Sequence, residues 1–266
     1  MTKRHLSVAG LAALIVVASM IPPRARAQSI ARRVAQVRDG KVRFTFAARP
    51  EVCGWGNSIS RGGNTRMNWS SDKSPDVIYD EECSHDPVRI VLTMDDGKAI
   101  KLKTYVGGRC RTDVPNVTDL GAVSTREAAD YLLNLAATDG GAVGREAILP
   151  ATLADSVVVW PPLFRIARDD NRPPQTRKQA LFWLGQAAAD KISPPDERLA
   201  KKETEDGEVK KSAVFALSQR RNGEAVPALI QVARNNRDPE VRKSALFWLG
   251  QSGDPRAIEL FEQILR

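Results

Sequence analysis

Polar and apolar residues alternate with period two through Lys41-Val42-Arg43-Phe44-Thr45-Phe46, the pattern of a strand with one buried face. Asp86-Pro87-Val88-Arg89-Ile90-Val91-Leu92-Thr93-Met94 alternates less cleanly. Asp95-Asp96-Gly97-Lys98 is a turn signal, and Ala99 to Val106 resumes the β pattern. Two β-rich runs around an Asp-Gly turn predict a hairpin, and Gly107-Gly108 ends it. Further along, the period lengthens to that of helices. Tyr131 to Ala136 reads as one helix and Arg145 to Asp155 as its partner. The chain therefore divides into a small β-rich domain over residues 28–118, with four or five strands, and a helical domain over 119–266.

The helical part repeats itself. Arg177-Lys178-Gln179-Ala180-Leu181-Phe182-Trp183-Leu184-Gly185-Gln186 aligns without gaps with the segments Lys210 to Gln219 and Arg242 to Gln251, at offsets of 33 and 32 residues. A weaker match relates Leu163 to Asp170 with Leu229 to Asn236. The unit is helix, polar turn, helix. One such pair cannot bury its apolar face alone, and stacking pairs builds a continuous core, so the expectation is an α-solenoid.

Asp238-Pro239-Glu240-Val241-Arg242-Lys243-Ser244-Ala245-Leu246-Phe247-Trp248-Leu249-Gly250 resembles the short HEAT repeat of the PBS-lyase HEAT-like variety. That family has a turn Asp, then Val-Arg, then Ala and Ala-Leu-Gly on the second helix. Trp183 and Trp248 replace the usual small residue before Leu-Gly. The resemblance is clear over 158–266 and extends back to residue 125. It implies a right-handed superhelix of antiparallel helix pairs, hence an α+β multidomain chain with a β-rich domain followed by a HEAT-like solenoid. It also implies protein binding. The phycobilin lyases that share the repeat attach chromophores, but only structural repeat positions match here. A lyase or chaperone-lyase acting on a bound small molecule stands as the alternative, marked by co-purifying colour. The domain combination also resembles exported bacterial HEAT proteins.

On the second helix of each unit, with Phe182 at zero and about 100° per residue, Lys178 falls near −40° and Gln186 near +40°. The trio recurs as Lys211, Phe215, Gln219 and as Lys243, Phe247, Gln251. Two readings stand. The ladder forms a partner-binding groove with aromatic anchors, amide hydrogen bonds and basic steering, or each Phe packs on the neighbouring helix while the lysines are solvated. Arg177, Lys210 and Arg242 begin these helices and are expected to pair with acids of adjacent turns, such as Asp238 or Asp206.

Composition narrows the function classes. Lys3, Arg4 and His5 precede an apolar stretch from Val8 to Ile21, followed by Pro22-Pro23 and Ala25-Arg26-Ala27. This is the order of a secretory signal over residues 1–27 with a small-x-small cleavage site, and the apolar stretch is short for a span of about 20 residues. An exported, periplasmic protein with no membrane span after cleavage is expected, and an uncleaved anchor is the alternative. The formal charge of +8 falls to +4 over residues 28–266, and 119–266 carries 21 basic and 21 acidic residues. A neutral solenoid is poorly suited to phosphate backbones, so nucleic acid is not an expected partner.

Cys53, Cys83 and Cys110 all fall in the β-rich part. An oxidising compartment favours one disulfide. Cys53–Cys83 would close a Gly- and Ser-rich segment that cannot order itself, a constraint worth about 3–4 kcal/mol. Cys110 is then the odd thiol, inert or a redox handle in a sensor of envelope signalling. Only Cys83 and His85 lie close together and there is no Cys-x-x-Cys, so no metal is expected. His85 is the one histidine after the leader, and no nucleophile elbow, P-loop or dinucleotide motif occurs. Asp95-Asp96 reads as a turn tip in water. The expectation is a non-enzymatic scaffold without cofactor.

Overall fold

The computed structural model describes residues 29–61, 66–68, 77–111, 114–192, 205–219 and 224–266. The leader pattern lies outside them. A short helix, α1 (Ile30–Ala35), precedes β1 (Gly40–Phe46), β2 (Val52–Gly54), β3 (Ser58–Arg61), β4 (Arg66–Asn68) and β5 (Val77–Ile78). Then come β6 (Val88–Asp95), β7 (Lys98–Tyr105), β8 (Arg109–Cys110) and β9 (Val117–Ala122).

The hairpin expected around Asp96-Gly97 is β6–β7. Asp96 and Gly97 have φ of 45° and 74°, the two left-handed residues that a tight hairpin turn needs to match strand twist. The main sheet runs β7-β6-β1-β9. Its alternation is as read: Val42, Phe44 and Phe46 of β1 and Val88, Ile90, Leu92 and Met94 of β6 are buried, with partly exposed residues between them.

Nine strands occur among the described residues, more than the four or five expected. The reason lies in the segment read as a loop. β2, β3 and β4 make a three-stranded sheet, and β5 pairs with β8. Gly and Ser give these strands no hydrophobic alternation to read. They are pinned by the Cys53–Cys83 disulfide and by bridges from Gly54 to Ser84 and from Gly56 to Val106. A β-carbon on Gly54 would lie 2.4 Å from the carbonyl oxygen of Val106, so only glycine permits that approach.

β9 lies across the 118/119 line and pairs in parallel with β1. α2 (Thr125–Thr138) and α3 (Ala142–Leu153) follow it; α3 packs on β6 and β7. Tyr131 of α2 meets Phe44 edge-on at 6.1 Å, and burial pushes its hydroxyl up to about 12. The helices continue as α4 (Trp160–Arg168), α5 (Pro174–Ile192), α6 (Glu205–Ser218), α7 (Ala225–Asn235), α8 (Pro239–Ser252) and α9 (Ile258–Leu265). One apolar cluster runs from the sheet through α2 and α3 to these helices. The fold is an α+β combination of a β-rich N-terminal region and a helical C-terminal part.

α8 shows how the repeat sequence makes its helix. The Asp238 carboxylate accepts from the Glu240 amide at 2.9 Å, Pro239 occupies the first turn, and Gly253 closes the helix at φ 64°. α8 packs closely on α5 where Gly185 faces Gly250. A β-carbon on Gly185 would sit 2.9 Å from the Gly250 Cα. α8 also packs on α7 and α6, whereas α5 and α6 make at most marginal contact. The second helices therefore lie in the order α5, α8, α6, not in chain order. α9 packs on α5 and α4, with Phe261 fully buried.

Candidate partner-binding face on the second helices

The three trios do not form equivalent rungs. Phe182 and Phe247 are half-buried and meet edge-on at 6.3 Å across the α5–α8 contact. Each also touches the indole that follows it, Phe182–Trp183 at 5.1 Å and Phe247–Trp248 at 5.0 Å. Phe215 on α6 packs at 5.0 Å on Trp248, so the aromatic run is Phe182, Phe247, Trp248, Phe215. Trp183 is fully buried and Trp248 is not. The Lys-Phe-Gln stripe read from the sequence does not include Trp248. It is the link that joins Phe215 to the rest.

Exposure is greatest at the Phe215 end of this run. Phe215 retains 48% of its surface in water, which makes it one of the few exposed large apolar residues among those described. Around it, Gln219 is exposed and Lys211 half-buried. Lys178 and Gln251 are exposed, while Gln186 and Lys243 are half-buried. The stem of Lys178 lies against Gly253, where a β-carbon would stand 2.5 Å from its Cγ. Phe182 and Phe247 thus serve packing, and Phe215 presents a ring to solvent. The packing reading thus describes Phe182 and Phe247, while Phe215 leaves a ring open to contact.

The repeated cations Arg177, Lys210 and Arg242 behave as adapters between turns, although Lys210 lies in the second turn of α6 rather than at its start. The Lys210 ammonium lies 3.3 Å from the Asp238 carboxylate, so it ties α6 to the start of α8. Burial pushes the Asp238 carboxyl up, but the Glu240 amide and Lys210 outweigh it and hold it below the usual carboxylate value. Arg177 donates to Asp170 at 2.7 Å, and Arg242 donates to the carbonyls of Asn236 and Arg237. His85 sits beside the disulfide with Nδ1 2.9 Å from the Val52 carbonyl oxygen. That oxygen can only accept, so Nδ1 carries the proton. Cys110 lies in β8 as a free, half-buried thiol.

Among the described residues no cluster of His, Cys, Asp and Glu could hold a metal ion, and no helix is long and apolar enough to cross a membrane. What the face offers is an exposed ring, amides and ammonium groups, a makeup suited to protein recognition.

Comparison with known families agrees on that class. The family of HEAT repeats matches residues 197–266, the stretch that holds α6 to α9. Residues 197–266 are therefore similar to HEAT repeats. No curated protein and no solved structure matches the chain.

Proposed function

We propose that the protein is an exported, non-enzymatic interaction scaffold. In this reading its helical part works as a HEAT-like solenoid, a right-handed superhelix of antiparallel pairs, and the β-rich region closes one end. Short connections between α2 and α3 and between α7 and α8, with packing of α2 on α3 and of α7 on α8, support the paired architecture. The leader pattern and the disulfide support export to an oxidising compartment such as the periplasm.

The observation that carries the reading is Phe215. A large ring held on Trp248, half in water and flanked by Gln219 and Lys211, has the makeup of a binding anchor. The protein is immobilised and used to capture partners from an envelope extract, in parallel with Phe215→Ala and Phe182→Ala. Phe215→Ala keeps its unfolding midpoint, because an exposed ring contributes within about 0.5 kcal/mol, and loses the captured protein. Phe182→Ala is destabilised by about 1–3 kcal/mol through lost packing on Trp183 and Phe247. Undiminished capture by folded Phe215→Ala overturns the assignment of this face.

A further inference from the structure

A cleft of about 310 Å3 separates the β-rich region from the helices. Arg49 and Arg61 reach it from the N-terminal side, Asp190 and Lys191 from the end of α5, and Lys243 from α8. The two arginines are immobilised in the same manner. Arg61 holds its guanidinium 6.0 Å from the centroid of the Trp183 ring and donates through Nη2 to Asp190 at 2.9 Å. Arg49 lies 5.9 Å from the centroid of the Trp160 ring and donates through Nε and Nη2 to the carbonyls of Thr152 and Val157, each at 3.1 Å.

Arg61 cannot relax into water, and it is unsatisfied. Only 8% of the Arg61 side chain is exposed, and its Nε is buried with no hydrogen-bond partner. A buried donor left unused is costly, and more so on a charged group. The two cations also oppose each other: burial first, and then Arg61, pull the Arg49 guanidinium below its usual value. Among the described residues lining the cleft, Arg49, Arg61, Lys191 and Lys243 stand against the carboxylates Glu51 and Asp190, and Asp155 also acts on Arg49. Positive charge is in excess and preorganised, on a cleft large enough for a ligand.

We propose that this cleft binds a carboxylate carried on an apolar group, such as a small organic acid or the C-terminal residue of a peptide. A planar carboxylate fits a guanidinium edge, and both arginines line the cleft with theirs held in place. Trp160, Ala187 and Leu265 line the same cleft and give the hydrocarbon part an apolar wall. Glu51 and Asp190 select against a dianion, because phosphate would meet two carboxylates at close range. The proposal does not rest on the scaffold reading or on Phe215.

Calorimetric titration of the full chain tests it. N-acetylphenylalanine is compared with its amide, with inorganic phosphate and with an acetylated tetrapeptide ending in a free carboxylate. The free acid binds, more weakly as salt is raised, and the amide does not. Arg61→Gln weakens the acid about tenfold, the loss of one charged hydrogen bond. Asp190→Asn strengthens it by removing a competing carboxylate, an effect that a purely structural pair would not produce. Should Arg61→Gln fail to fold, the exposed Lys191→Gln decides, since it must weaken the acid without changing the unfolding midpoint. A tetrapeptide that binds more tightly than the acid assigns the site to protein C-termini, and the reverse assigns it to small acids; either supports the proposal. Equal binding of acid and amide, no binding of either, tighter binding of phosphate, or an unchanged affinity in Lys191→Gln overturns it.

Discussion

Arg43 and Asp119 face each other across β1 and β9, beside the irregularity between Arg43 and Thr45 in their pairing. Both Nε and Nη2 of Arg43 donate to one Asp119 oxygen, at 2.9 and 2.6 Å. Burial pushes the Asp119 carboxyl up, but the bonds from Arg43 and from the Gly121 amide outweigh it and hold it below its usual value. A carboxyl depressed in the folded protein stabilises above its unfolded pKa and ceases to do so as pH falls through the folded value. Asp119→Asn is therefore expected to lower the unfolding midpoint at neutral pH. The loss is about 0–1 kcal/mol, since Asp119 is half-exposed and screened by solvent. It closes as pH falls below the ordinary carboxylate range and the depressed native carboxyl in turn takes up its proton. Thermal unfolding of both proteins across this range checks it. At this scale the sequence is only partly legible. The pairing of Lys210 with Asp238 follows from repeat spacing, because both partners hold fixed positions in a known unit. Arg43 with Asp119, and the Arg49–Arg61 cleft, join residues that are remote along the chain and belong to no motif.

At the scale of elements, the β6–β7 hairpin was readable because alternation and turn chemistry are local. The strands between Cys53 and Cys83 were not, because their order comes from a crosslink and from backbone bridges that carry no hydrophobic signature. The second helices were readable individually, but their order was not: repeats predict neighbours in chain order, while aromatic packing puts α8 next to both α5 and α6. Gly185 and Gly250 mark the tightest point of this arrangement. Alanine at a helix interior ordinarily gains up to about 1 kcal/mol over glycine. Here the sign reverses. A β-carbon at position 185 meets the Gly250 backbone and the Leu246 carbonyl at 2.9 Å, with no flexible side chain to yield. Gly185→Ala is expected to lose about 1–3 kcal/mol by overpacking, read as a lower midpoint in urea. An unchanged or raised midpoint would show that α5 and α8 are less closely packed.

At the scale of the molecule, the disulfide is the principal restraint on a region whose own strands are short. Replacing Cys53 and Cys83 by Ser, with Cys110 retained, is expected to remove about 2–4 kcal/mol. Wild type unfolded with and without reductant provides the matching comparison, and Cys110→Ser alone leaves the midpoint unchanged. The β-rich region and the helices share one apolar cluster, so this loss is felt as a single cooperative transition rather than as early melting of one part. The sequence drew a division at 118/119 because the hydrophobic period changes there. The chain itself continues β9 across that point and uses α2 and α3 as the joint.

The place of α8 also has a bearing on time. A solenoid stacked in chain order can fold behind the ribosome, each pair closing on the one made before it. Here the helix that separates α5 from α6 is made after both. Until residues 239–252 emerge, α5 lacks the partner that Gly185 and Phe182 are shaped to meet, and α6 lacks Trp248. Completion of the helical part is thus deferred to the end of synthesis, and a chain cut short before α8 would be an unfinished protein rather than a shorter one.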